Sequence, residues 1–120
     1  MGIRRFEEIE AWKSARQLTR TIYALTEEGQ FSRDFGLRDQ ICRAAVSAMS
    51  NVAEGFESQS DRLFCRYLSI AKASAAEVRS QLYAALDQGY ISDKDFQTAY
   101  ALSDQTARQI WGLVRYLKEN

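Results

Sequence analysis

The sequence predicts an all-α fold, an antiparallel up-down-up-down four-helix bundle, from three observations. There is no proline in 120 residues, alanine is the commonest residue with 16 occurrences, and apolar residues recur at three-to-four spacing in four blocks separated by glycine. Proline breaks helices and alanine has the highest helix propensity, so long uninterrupted helices follow, each with its apolar side chains on one face. No block alternates with the two-residue period of a strand.

The first helix is expected over about 7–27, where Ile9, Trp12, Ala15, Leu18, Ile22 and Leu25 repeat before Gly29, with a loop over 29–34. The second spans about 35–54 on Leu37, Ile41, Ala44, Ala45, Ala48 and Val52, and Gly55 is expected to stop it as a left-handed C-cap. Ser60 caps the third, whose stripe of Phe64, Leu68, Ala71, Ala75, Val78 and Leu82 runs to Leu86, with Gly89 ending it. Ser92 and Asp95 open the fourth, and Phe96, Ala99, Ser103, Ala107, Ile110, Val114 and Leu117 trace its inner face. Short connections make neighbouring helices antiparallel, and the length suits one domain spanning 1–120.

Absences narrow the chemistry. Without histidine the chain cannot build a Ser-His-Asp triad, an imidazole base or the commonest zinc sites. Cys42 and Cys65 are two thiols with no further soft ligand nearby in sequence, so they are expected to be reduced and half-buried and to act as small hydrophobes. Neither a metal site nor a cofactor is expected. Met1 to Arg5 leads into a mixed-charge segment with no apolar leader, and no run suits a membrane span, so a cytoplasmic location is expected. Sixteen basic and sixteen acidic residues cancel, so any nucleic-acid site must be a local patch; twelve of the sixteen basic residues are arginine.

The third helix carries more apolar surface than a bundle stripe needs. Beside its core positions stand Leu63, Tyr67, Ile70, Ala73, Ala76, Tyr83 and Ala84. Self-association covers such a surplus; the alternative is that the 29–34 loop, with Phe31 and Phe35, folds over it. The small residues of 71–76 and Ala44, Ala45 and Ala48 are expected to face each other at the waist, leaving little room there for a small-molecule substrate.

Among polar candidates, Asn51 and Glu54 sit one turn apart near the end of helix two, and Glu77 interrupts the apolar flank of helix three. Centring the second turn near residue 57 brings Arg38 opposite Glu77, so an ion pair with Arg38, with Arg43, or with a neighbouring subunit is expected to hold that carboxylate. The same register puts Glu54 and Glu77 about 25 Å apart, too far for joint acid–base or metal chemistry. Arg62 and Arg66, with Arg43 or Arg38 added from helix two, form a cluster suited either to phosphate or to a solvated or intersubunit salt-bridge set. A helix-turn-helix over 44–70 fails, because its second helix would present Asp61, Leu63, Phe64 and Cys65 to the bases.

The stretch RAAVSAMSNVAEGF at 43–56, with Ser60, Phe64, YLSIAKASAAE at 67–77, Gln81-Leu82, Gly89-Tyr90-Ile91 and FEEIEAWKSARQL at 6–18, resembles the four-helix-bundle proteins first noted in intervening sequences of bacterial 23S ribosomal RNA genes. The resemblance implies a ring-like homopentamer with no recognised catalytic residues. A similar barrel-shaped pentamer is the accessory subunit of the reverse transcriptase of diversity-generating retroelements, which implies RNA or nucleoprotein as partner. The family usually has proline where this chain has Met49, so helix two is expected to run without irregularity. The family's segment after Gly55 is often basic, whereas here Glu57, Ser58, Gln59, Ser60 and Asp61 precede Arg62. The expectation is a non-enzymatic oligomeric binding or scaffold protein associated with RNA or nucleoprotein, the alternative being a structural or adaptor module without nucleic acid.

Overall fold

Ser60 and Ser92, the two hydroxyls expected to start helices, do so. Ser60 Oγ accepts the Leu63 amide at 3.3 Å and Ser92 Oγ accepts the Asp95 amide at 3.0 Å, each satisfying a donor that the first helical turn leaves free. A computed structural model describes residues 2–119; Met1 and Asn120, the outer ends of the 1–120 span, lie outside the described residues. Four α-helices follow in order: α1 (Glu10–Thr26), α2 (Phe35–Glu57), α3 (Asp61–Asp87) and α4 (Asp93–Glu119), with no strand among the described residues.

Side-chain bridges fix the antiparallel order. Thr19 Oγ1 reaches the Ala45 carbonyl at 3.1 Å and Thr26 Oγ1 lies 3.5 Å from Cys42 Sγ, tying α1 to α2. Between α2 and α3, Ser47 and Ser74 share a 2.8 Å hydrogen bond and Gln81 Nε2 donates to Gln40 Oε1 at 3.4 Å. Arg79 Nη1 donates to Ser103 Oγ at 3.2 Å, joining α3 to α4. One end of the core gathers Ile9 and Trp12 with Val114 and Leu117, the other Leu18 and Ile22 with Phe96 and Ala99, so α4 returns beside α1. The result is an elongated bundle of 46 × 21 × 19 Å.

The apolar stripes are buried as the periodicity implies. The inner positions Phe64 to Leu82 of α3 and Phe96 to Leu117 of α4 are buried, while Leu25, Leu37 and Leu86 near helix ends are half-buried. Of the small residues expected at the waist, Ala44, Ala45, Ala48, Ala71, Ser74 and Ala75 are buried, whereas Ala73 and Ala76 are exposed. The 29–34 segment is a 3₁₀ turn, Gly29–Arg33, that seats Phe31 wholly inside the core. Helix α3 ends as Gly89 implies: with φ of +74°, it lets the Tyr90 amide reach the Ala85 carbonyl and its own amide reach Leu86, both at 2.9 Å.

Two elements depart from the sequence expectation. The first helix does not begin at residue 7; Phe6–Glu8 form a 3₁₀ turn and Ile9 is extended before α1 starts at Glu10. That geometry buries Ile9 and sets Phe6 edge-on against Trp12, with centroids 5.2 Å apart. Nor does Gly55 end helix two. It lies inside α2 and is buried, and a Cβ there would stand 2.8 Å from Phe64 Cδ1 and 2.9 Å from Tyr67 Cβ, so glycine is present for close helix approach. The helix continues to Glu57, uninterrupted at Met49, and the left-handed residue of the turn is Gln59, with φ of 59°.

Candidate functional site

The α2–α3 register decides where the polar candidates stand. The Ser47–Ser74 and Gln40–Gln81 pairs have residue numbers that both sum to 121, so the turn is centred between residues 60 and 61. Residue 77 therefore lies opposite residue 44, six residues and about 9 Å from Arg38. The expected Arg38–Glu77 pair is not formed, and Arg43 does not replace it. Glu77 is exposed and accepts from Gln81 Nε2 at 3.1 Å, one turn along its own helix. Arg38 instead donates to the Ser32 carbonyl at 2.9 Å, pairs with Asp39 at 3.6 Å and lies over the Phe35 ring at 4.8 Å. Continuing α2 by three residues past the expected stop moved the turn, and with it every opposition across these helices.

The candidates divide between two surfaces. Arg38, Arg43, Asn51 and Glu54 line an open groove of about 1010 Å³ between α1 and α2, together with Tyr23 and Val46. This volume lies outside the alanine waist, on its flank. Its charges are mixed, since Glu27 and Asp39 line it as well, and Asn51 is engaged by the Ser47 carbonyl at 2.9 Å. Glu54 lies opposite residue 67, ten residues or about 15 Å from Glu77, which is nearer than the expected separation and still too far for shared chemistry.

Arg62 and Arg66 stand on the other side, without Arg38 or Arg43, which the rotation of α2 turns toward α1. Helix α3 sets Arg62, Arg66, Lys72 and Arg79 along adjacent rows at three-to-four spacing, with Ser69, Ala73 and Ala76 between them, and α4 adds Trp111, Val114 and Lys118. Five cations thus line one groove of about 520 Å³, and no carboxylate is among its lining residues. Serine and alanine leave its floor low.

Arg79 is fixed there: its Nη1 donates to both the carbonyl and the hydroxyl of Ser103, whose Oγ donates to the Ala75 carbonyl at 2.8 Å. Lys72 Nζ sits 5.7 Å from the centre of the Trp111 ring, within cation–π range. Lys72, Arg79, Trp111 and Lys118 were not among the sequence candidates. The spacing from Arg62 could have revealed Lys72 and Arg79, but only the α3–α4 register brings in Trp111 and Lys118.

The apolar surplus of α3 is open. Leu63 and Ile70 are 43% and 45% exposed, and the loop does not cover them, because Phe31 is buried against Tyr90 and Phe35 faces outward. Tyr83 packs partly on Phe96 and Tyr100 of α4. Both cysteines are free thiols, Cys42 buried and Cys65 half-buried. Among the described residues no group of three or more cysteines and carboxylates gathers to hold a metal ion, and no helix is long and apolar enough to cross a membrane.

Comparison with known proteins agrees with this architecture. The chain is similar to a Bacteroides thetaiotaomicron protein of unknown function from the S23 ribosomal protein family, whose 1.70 Å crystal structure superposes with a TM-score of 0.79 at 20% identity, covering 87% of this chain and 97% of that one. At that identity the likeness establishes the shared fold. No curated protein matches the sequence. The profile of the 23S rRNA-intervening sequence proteins matches residues 7–112, a span running from the N-terminal 3₁₀ turn well into α4. With the bundle and nearly its whole length accounted for, the chain belongs to the 23S rRNA-intervening sequence protein family.

Proposed function

We propose that this chain is a non-enzymatic, self-associating binding or scaffold protein that works with RNA or a nucleoprotein in the cytoplasm, as the homopentamer that the resemblance implies. The observation that carries the reading is the α3–α4 groove: a chain with equal numbers of acidic and basic residues sets five cations and no carboxylate along one groove. Anion recognition of this kind needs no nucleophile, general base or cofactor. Phosphate contacts release condensed counterions, so binding through such a surface weakens steeply with salt.

Anisotropy of a labelled RNA fragment at several salt concentrations tests it. Affinity is expected to fall as salt rises with a log–log slope of about −2 or steeper, and Arg62→Glu with Arg66→Glu should flatten that slope. A salt-independent signal, or none at low ionic strength, counts against an RNA role. The exposed Leu63 and Ile70 favour one second reading, a protein adaptor without nucleic acid. Assembly in light scattering combined with no RNA binding at low salt would select it.

A further inference from the structure

We propose that the α3–α4 groove takes single-stranded rather than duplex RNA, with a base stacked on Trp111 and the adjoining phosphates held by Lys72, Arg62, Arg66 and Lys118. This rests on the RNA-associated reading and narrows it to strand type.

Trp111 is 48% exposed, whereas Trp12, the other tryptophan, is buried in the core. An indole left half in water at the rim of a cationic groove is a stacking platform, and an unpaired base supplies the flat apolar face it lacks. Lys72 over the ring places a positive charge beside the point where that base would lie. Among the described residues, no carboxylate forms an ion pair with Lys72, Arg62, Arg66 or Lys118. The ion pairs among the described residues join Arg5 to Glu7, Lys13 to Glu10, Arg38 to Asp39 and Arg108 to Asp104, all outside the groove.

Dimensions favour a strand. Arg62 to Arg79 spans 17 positions of continuous helix, about 25 Å, and Lys72 falls within that length. The low floor of Ser69, Ala73 and Ala76 lets a sugar–phosphate chain approach α3 closely. A duplex cannot use the indole, because its bases are already paired and stacked and A-form helices are read through phosphates and 2′-hydroxyls.

The test uses the full chain in low salt, titrated with a twelve-nucleotide oligouridine and, separately, with a twelve-base-pair RNA duplex. Tryptophan fluorescence and the anisotropy of labelled RNA are both followed. The single strand is expected to quench the exposed indole and to bind at least tenfold more tightly than the duplex. Trp111→Phe, which keeps a ring, should bind within about threefold of wild type, and Trp111→Ala should lose about tenfold with its helical circular dichroism unchanged.

Equal or tighter duplex binding, unchanged fluorescence at saturation, or wild-type affinity in Trp111→Ala overturns the stacking site while leaving the RNA reading standing. A Trp111→Ala variant that loses RNA only together with its wild-type assembly mass also overturns it, since the indole then serves a subunit contact. Failure to bind either RNA defeats the RNA reading itself and this inference with it.

Discussion

Tyr90 donates its hydroxyl to Asp34 Oδ2 at 3.0 Å, while the other oxygen of the same carboxylate accepts the Leu37 amide at 3.1 Å. One side chain thus caps α2 and clasps the turn between α3 and α4, and the Tyr90 ring stacks on Phe31 with centroids 5.3 Å apart. The hydrogen bond to Asp34, then desolvation, then the carboxylate charge raise the Tyr90 hydroxyl above its ordinary 10.0.

That clasp gives a signed pH dependence. A group whose folded value is raised contributes stability that is complete below its unfolded value and is lost as pH rises through the folded value. The melting temperature of Tyr90→Phe is therefore expected to lie below wild type by a constant gap at neutral pH, and the gap should close above about pH 10. Thermal scans across alkaline buffers measure it, and a gap unchanged at high pH would separate the hydroxyl from Asp34. Asp34→Ala, which also removes the helix cap, should be the more damaging change, with the cap alone worth about 1 kcal/mol.

Glycines 55 and 112 should respond in opposite directions to alanine. At Gly55 the added methyl meets Phe64 and Tyr67 inside 3 Å, so overpacking of about 1–3 kcal/mol outweighs the roughly 1 kcal/mol gained in helix propensity. Gly112 has nothing within 4 Å of its would-be Cβ and lies in α4, so Gly112→Ala should stabilise by about 0.5–1 kcal/mol. Denaturant midpoints decide both. A neutral Gly55→Ala would mean that α2 and α3 can part at little cost.

Because Glu77 is exposed and bonded within its own helix, it should be energetically independent of Arg38. A double-mutant cycle over Glu77→Gln and Arg38→Met is expected to give a coupling under about 0.5 kcal/mol. A larger value would require the two side chains to meet in an assembly.

Self-association through α3 predicts that light scattering at micromolar concentration returns more than the 13.7 kDa of one chain. Leu63→Lys with Ile70→Lys should shift the mass toward the monomer and leave the melting temperature of each subunit nearly unchanged, because both positions lie outside the core. Wild-type protein found as a monomer would remove the assembly from the reading.

The buried stripes of α3 and α4, the Ser60 and Ser92 caps and the Gly89 ending were all legible, since each depends on residues within a turn or two of one another. Arg62 and Arg66 were legible as a pair for the same reason. Their grouping with Arg38 and Arg43 was not, nor was the contribution of Trp111 and Lys118, because those relations span separate helices.

Local chemistry alone determined that this chain is helical, where α2, α3 and α4 start and where α1 and α3 stop, and which faces are apolar, because hydrogen bonding and periodicity act over three or four residues. Tertiary packing decided the rest. Gly55 carries the same local signal whether it ends a helix or admits Phe64 and Tyr67 against one, and only the close approach of α3 selects between them. Extending α2 to Glu57 placed the Ser47–Ser74 bond where it is, left Glu77 away from Arg38, and set the α2–α3 register. The groove that joins Lys72 to Trp111 belongs likewise to the pairing of two helices, a relation that neither helix encodes by itself.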